Sequence, residues 1–464
     1  MSKRERKFQV RDSPAVRNGR YKDVGILLIQ CYVAWTGISS ARSISFSYGL
    51  GYGLSLYQLG GRQNSQSPSF FKCLIICFCK DLQPRCSLQG QGTTTMNKSG
   101  DKKIRVGIIG ANPDRGWAAE AHIPALKSLS DDFEITALST SRRESADAAR
   151  KLFGVPVAFD NYQDLVNRAD VDVVAITVKV PYHLELATAA LNAGKAVYCE
   201  WPLGNGLKEA ETLAALAKKK GVLAVAGLQA RSAPSVAYVH DLIKQGYVGG
   251  VLSTSLIGSG MGWGPTVEPF NAYTNYKKNG ATMLSIALGH AADALCHCLG
   301  EVQELSATMT MRRKSFMIKG TGESKHMNAD DQVLVSGLLE GGAAFSIHYR
   351  GGVSRGTNLL WEINGTEGDL QLTAAGGQAQ IFEMTVRGGK GAQSSLEVLP
   401  VPEKYRWSPP QGASTNVAQA YALFARDYRE GTHLCPTFDD AVTRHRMLDA
   451  IETAAATGQR QTLG

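Results

Sequence analysis

Two stretches carry side chains placed for acid–base work. "GHAAD" sets His290 three residues before Asp293, which on a helix puts imidazole and carboxylate on one face. A histidine so placed titrates near neutrality and, helped by the carboxylate, serves as general acid or base. "AGKAVYCEWPLG" (193–204) predicts a short buried strand that ends at Glu200-Trp201-Pro202, and in open α/β sheets ligands sit at that carboxyl end. Glu200 and Trp201 are therefore expected beside a ligand. An indole N–H donates one hydrogen bond and does not titrate, so Trp201 can stack or bond but cannot shuttle a proton.

The segment that must position these groups begins at Ile104. "IRVGIIGANPDRGWAAEAHIPAL" predicts a buried strand, a glycine-containing turn and a helix, and "FEITALST" a second strand. Such a unit suits a phosphate, because the helix start offers free N–H groups and the positive end of its dipole. The spacing of Gly107, Gly110 and Gly116 is not G-x-G-x-x-G: Asn112 stands where the second glycine is expected, and "PDR" is inserted before Gly116. Asparagine tolerates left-handed backbone better than other residues bearing a Cβ, so the turn survives. Gly110, Asn112, Gly116 and Trp117 are expected to line a dinucleotide. The second strand runs into Ser139-Thr140-Ser141-Arg142-Arg143, with no acid to meet a free ribose 2′-hydroxyl. Ser139, Ser141 and Arg142 suit a 2′-phosphate, which favours NADP(H) and leaves NAD(H) as the other option. The same run also reads as the start of a solvated helix, capped by a serine and stopped at Gly154.

Buried strands continue to alternate with amphipathic helices as far as "VLAVAGLQA", which predicts a covered parallel sheet. Beyond Arg231 the rhythm changes. A helix, a Gly/Asn-rich loop and the helix holding His290 are followed by segments of alternating polarity, divided by turns such as Gly341-Gly342 and Asn364-Gly365. These predict an antiparallel meander, and two amphipathic helices close the chain. The fold expected is an α/β Rossmann domain, a doubly wound parallel sheet, followed by an α+β domain with a large, mainly antiparallel sheet. The expected divisions are 1–95, an extension; 96–229, the dinucleotide-binding domain; and 230–464, a substrate and oligomerisation domain that includes the C-terminal helices.

Charge separates the extension from the rest. Residues 1–95 hold 13 Lys+Arg and 4 Asp+Glu, whereas the remaining residues hold 37 of each. A neutral body offers no basic face to phosphates, so direct nucleic-acid binding is not expected. The extension keeps no helical or strand period, and its apolar runs are too short to span a bilayer. It reads as disordered or mis-assigned, with the working protein beginning at Met96; a transit peptide is the other reading. Four scattered cysteines in the body, Cys199, Cys296, Cys298 and Cys435, suit the cytosol, and the "CHC" around His297 would scatter its side chains around a helix rather than hold a metal.

The combination of "HIPAL", "AGKAVYCEWPL" and "GHAAD" on this architecture resembles the Gfo/Idh/MocA oxidoreductase family over about residues 103–455. "GANPDRGWA", "CEW", "LQARSAP" and "LIKQGYVG" are similar to its Gal80-like branch, which includes a cofactor-binding transcriptional co-repressor. The resemblance implies a dinucleotide in the first half and a sugar- or polyol-like substrate between nicotinamide and sheet. It also implies a dimer face on the antiparallel sheet. The family's enzymes usually carry Glu-Lys-Pro where this chain has Glu200-Trp201-Pro202, and often an Asp where it has Ile286. The missing ammonium can be restored by Lys179, on the loop after "VVAIT" and four residues before His183, itself expected near the cofactor. Arg231 is expected at substrate or cofactor phosphate, or in a salt bridge between the halves, and Tyr273 and Tyr276 at the substrate. Two functions follow: an NAD(P)-dependent oxidoreductase with His290, Asp293 and Lys179 as catalytic groups, or a catalytically silent NAD(P)-binding sensor with a protein partner.

Overall fold

The computed structural model describes residues 102–408 and 412–463. The extension and the chain start expected at Met96 lie outside the described residues, all of which belong to one unit, Asn97–Gly464. Six short strands form the first sheet: β1 (Ile104–Ile109), β2 (Phe133–Ser139), β3 (Val157–Phe159), β4 (Val173–Ile176), β5 (Ala196–Glu200) and β6 (Ala224–Gly227). They are parallel throughout, in the order β3-β2-β1-β4-β5-β6. Strand order reverses between β1 and β4, which opens a crevice beyond their carboxyl ends. Between the strands run α1 (Ile123–Ser128), α2 (Arg143–Phe153), α3 (Tyr162–Val166), α4 (His183–Asn192) and α5 (Leu207–Lys220). The N-cap of α2 is Arg142 rather than the expected serine, and the stop at Gly154 is a left-handed C-cap.

After α6 (Pro234–Lys244) the chain builds a nine-stranded sheet. Its strands are β7 (Val251–Gly260), β9 (Val302–Thr310), β12 (Gln332–Leu339), β13 (Ala344–Gly351), β14 (Leu359–Gly365), β15 (Gly368–Ala374), β16 (Thr385–Lys390), β17 (Glu397–Val398) and β18 (Gln461–Thr462). A small separate sheet joins β8 (Thr266–Val267), β10 (Ser315–Ile318) and β11 (Ser324–His326). The large sheet is mainly antiparallel, but it is not a plain meander. β7 lies at its centre, antiparallel to β14 on one side and parallel to β13 on the other, so one pairing is a crossover that local turn signals do not announce.

The helices α7 (Gly289–Leu299), α8 (Thr415–Glu430) and α9 (Phe438–Thr457) tie the sheets together. α8 buries Val417, Tyr421 and Phe424 in the core made by β1, β2 and α1. α9 buries Phe438, Met447 and Ile451 in the core shared by the other face of the first sheet and the large sheet. The expected division at residue 229 therefore does not describe the C-terminal helices: α8 is part of the first sheet's packing. Among the described residues no helix is long and apolar enough to cross a membrane.

Candidate functional site

The site forms where the carboxyl ends of β1, β4 and β5 face α7, around a crevice of about 830 Å³. β1 passes into the turn Gly110–Trp117 and a π-helical turn, Ala118–His122. Gly110 has φ +102°, and a Cβ there would lie 2.7 Å from Val178 Cγ1, so no other residue fits. Asn112 closes the turn: its N–H donates to Gly110 O (2.9 Å) and its Oδ1 accepts from Asp114 N (2.9 Å). Gly116 has open space where a Cβ would stand, and the buried Trp117 Nε1 has no hydrogen-bond partner among the described residues. Gly110, Asn112, Gly116 and Trp117 all line the crevice. An open cradle with an unmatched donor beside a helix start fits a phosphate-linked dinucleotide.

Beyond β2 the placement differs. Ser139 is buried, and its carbonyl accepts from Gly110 N (2.9 Å). Ser141 and Arg142 are exposed and do not line the crevice, and the Arg142 guanidinium has no partner among the described residues.

Opposite, β5 sends successive side chains to opposite faces. Glu200 points with Tyr198 toward α8 and Trp201 with Cys199 toward the shared core. Trp201 is 4% exposed; its Nε1 donates to Ser285 O (2.7 Å) and its ring lies 4.7 Å from that of His445. A Cβ at Gly289 would come within 2.9 Å of that Nε1. Gly289 opens "GHAAD", so this motif and "CEW" fit one another directly. Glu200 Oε1 is bonded to His122 Nε2 (3.0 Å).

His183 is fully buried, with Nδ1 2.8 Å from Pro202 O and Nε2 3.0 Å from Val178 O. It joins the loop of Lys179 to the loop of Trp201, and burial lowers its pKa. Lys179 is exposed at the crevice, its Nζ 4.7 Å from the centre of the Tyr273 ring. Burial raises the Tyr273 pKa.

His290 lies in the crevice wall, 3% exposed, and neither ring nitrogen has a hydrogen-bond partner among the described residues. Burial pushes its pKa down to about 3, a loss that Asp293 only partly opposes, so it does not titrate near neutrality as its sequence context suggested. Asp293 does not orient it. That carboxylate accepts from Arg231 Nε (2.8 Å) and Nη2 (2.5 Å) and from Arg444 Nε (3.4 Å). The assignment of Arg231 to substrate is corrected with it: Arg231 makes the salt bridge and does not line the crevice. Tyr276 also lies away from it, packed on Phe316 with centroids 6.4 Å apart. Thus Lys179, Tyr273, His183, Glu200, Trp201, His290 and the glycine turn share one crevice, whereas Asp293, Arg231 and Tyr276 stand outside it. Sequence reasoning missed His122, Tyr421, Gln229 and Gln380. His122 left a signal inside "HIPAL" and Gln229 one inside "LQARSAP".

The parallel sheet with its turn-lined crevice, closed by a helix from the large sheet's side, defines a dinucleotide-fold protein of two sheets. Residues 104–228 match the model of the oxidoreductase family with NAD-binding Rossmann fold, and residues 234–374 that of the Gal80p C-terminal domain. Dehydrogenase aclE of Aspergillus oryzae is 30% identical over 389 residues, which covers 77% of this chain and 98% of that protein. The galactose/lactose metabolism regulatory protein GAL80 of Saccharomyces cerevisiae is 29% identical over 303 residues, 61% of this chain and 69% of that one. A solved structure of levoglucosan dehydrogenase in complex with NADH and L-sorbose has the same fold, with TM-score 0.69 and 21% identity over 78% of this chain and 99% of its own. The chain belongs to the Gfo/Idh/MocA oxidoreductase family, in its Gal80-like branch.

Proposed function

We propose that the protein is an NAD(P)-dependent oxidoreductase that interconverts a sugar- or polyol-like hydroxyl and its carbonyl by hydride transfer. The observation that carries this reading is the convergence, in one crevice, of the open cradle at Gly116 with Lys179, Tyr273 and the unpartnered His290. Gly110, Asn112, Gly116 and Trp117 would hold the dinucleotide, which supplies the hydride acceptor or donor. When an alcohol carbon loses hydride, the hydroxyl proton must reach a base. Trp201 cannot take it, and its N–H is already engaged by Ser285 O. A histidine whose pKa lies at about 3 stays neutral at pH 7 and is a weak base, so His290 accepts a hydrogen bond from the substrate and orients it. In reduction the Lys179 ammonium group, lying over Tyr273, gives its proton to the carbonyl oxygen; in oxidation the neutral Lys179 amine takes the hydroxyl proton and becomes that ammonium group.

Ser141 and the unpaired Arg142 support NADP(H) over NAD(H), since a guanidinium at the end of β2 meets a 2′-phosphate. Small polyhydroxylated substrates and a cytosolic location complete the reading. A second reading, a silent dinucleotide-binding sensor with a protein partner, is favoured by Trp201 at the position of the family's lysine and by the likeness to GAL80.

The test uses the purified full chain with NAD⁺ and NADP⁺ and a panel of sugars and polyols, followed by absorbance of the reduced nicotinamide. Turnover that Lys179→Met lowers, without loss of dinucleotide binding, is the expected result. Dinucleotide binding with no turnover across the panel would replace the enzyme reading by the sensor.

A further inference from the structure

One carboxylate in the crevice wall is held by a histidine, with no lysine or arginine beside it among the described residues. Glu200 Oε1 is 3.0 Å from His122 Nε2, and His122 Nδ1 is 2.9 Å from the Tyr421 hydroxyl. Glu200 is 8% exposed, and both of its supporting side chains are fully buried. The directions follow from the chemistry of the three groups. A carboxylate accepts, so Nε2–H donates to it; Nδ1 is paired with the tyrosine hydroxyl, accepting its O–H when the ring is neutral. The second oxygen, Oε2, has no hydrogen-bond partner among the described residues.

Two further features show that the fold makes room for this group. Gly227 pairs with Glu200 across β5 and β6, and a Cβ at Gly227 would lie 2.6 Å from Oε1. Tyr421 reaches the site from α8, far along the chain, and stacks on Tyr198 with centroids 4.7 Å apart. A turn, a strand and a C-terminal helix thus converge on one anion whose free oxygen is left at the crevice.

We propose that His122 and Tyr421 fix Glu200 as an anionic wall of the crevice that makes the protein bind oxidised nicotinamide dinucleotide in preference to the reduced form. The inference rests on the dinucleotide reading above. Oxidised and reduced forms share their phosphates and riboses, and they differ in one unit of positive charge on the nicotinamide ring. A carboxylate in a wall largely closed to water discriminates on that charge, because screening there is weak. His122 and Tyr421 are positioning residues: His122 touches Glu200, Tyr421 touches His122, and both act through the carboxylate.

The experiment is calorimetric titration of the full chain with NADP⁺ and NADPH, and with NAD⁺ and NADH, for the wild type, Glu200→Gln and Tyr421→Phe. Glu200→Gln is expected to weaken the oxidised forms about tenfold and to leave the reduced forms within about twofold, which shifts the ratio of the two affinities. Tyr421→Phe is expected to shift the same ratio in the same direction by a smaller factor, and it carries the test if Glu200→Gln fails to fold. Equal weakening of both forms, or an unchanged ratio, overturns the charge preference while the dinucleotide reading stands. If the wild type binds neither form, the proposed function and this inference fall together.

Discussion

Asp293 and Glu200 are both buried carboxylates, one beneath the crevice and one in its wall, and their surroundings differ in kind. Asp293 is 0% exposed and lies between two guanidiniums, Arg231 and Arg444, the second of which also binds Glu301 at 2.9 and 3.0 Å. Burial alone would raise its pKa, but the two arginines hold it below the usual carboxylate value. Glu200 has a single imidazole and, among the described residues, no partner for its second oxygen. A buried charge whose partners are all in place is scaffold, and one left with an open valence faces something not yet bound. The buried imidazole of His290 and the exposed cations of Lys179 and Arg142 likewise have no ion-pair partner among the described residues.

The largest expected effect tests the scaffold side. Asp293→Asn removes the anion that two buried guanidiniums share, leaving Arg231 with Asp440 and Arg444 with Glu301, and should cost about 3–5 kcal/mol of stability, read by urea unfolding. Because the folded-state pKa of Asp293 is depressed, its contribution is complete above the unfolded value of about 3.9 and is lost as pH falls through the folded value. The wild type's margin over the variant should therefore shrink below about pH 4. The ratio of oxidised to reduced cofactor affinity should not move. A variant of normal stability with an altered pH–rate profile would return Asp293 to the chemistry.

On the open side, Lys179→Met should lower turnover by about 10²-fold or more, the usual contribution of a positioned acid–base group. The dinucleotide dissociation constant should be unchanged, since the ammonium group lies over Tyr273 rather than at the glycine turn. If His290→Gln abolishes turnover and Lys179→Met spares it, the proton passes through the imidazole despite its burial.

What was legible in the sequence follows the same division. The first sheet was readable because each strand is a short run buried on both faces and each helix is amphipathic, so period and turn residues mark it locally. The glycine turn, Glu200 and Trp201 were readable for the same reason, as residues at or just past the end of a strand. The parallel pairing of β7 with β13 and the return of α8 to the first core were not, because both depend on elements far apart in the chain. Helical spacing put His290 and Asp293 on one face, and they do share it. Spacing could not show that Arg231 and Arg444, from 62 and 151 residues away, would reach the carboxylate first. Tyr421 escaped notice likewise, as one aromatic among many on an amphipathic helix.

Trp201 stands between the two kinds of group, and Trp201→Phe should separate them. The indole's one donor is satisfied by Ser285 O, so the variant leaves a buried carbonyl short of its partner, at a cost of about 1–3 kcal/mol in urea unfolding. Turnover should persist, since no proton passes through the indole. A loss of turnover with stability intact would place the ring in the reaction.

The smallest effect is expected at the rim. Arg142 is exposed, so water screens whatever it binds, and it has no partner to lose among the described residues. Arg142→Ala should leave the melting temperature unchanged and reduce the preference for NADP⁺ over NAD⁺ about tenfold, near 1.4 kcal/mol, by weakening NADP⁺ alone. The neighbouring Arg143 gives the control, because it is already paired with Asp147 on α2. An open guanidinium should change cofactor choice where an engaged one does not. Equal effects of Arg142→Ala and Arg143→Ala would mean that charge at this helix start, rather than an unoccupied partner, sets the preference.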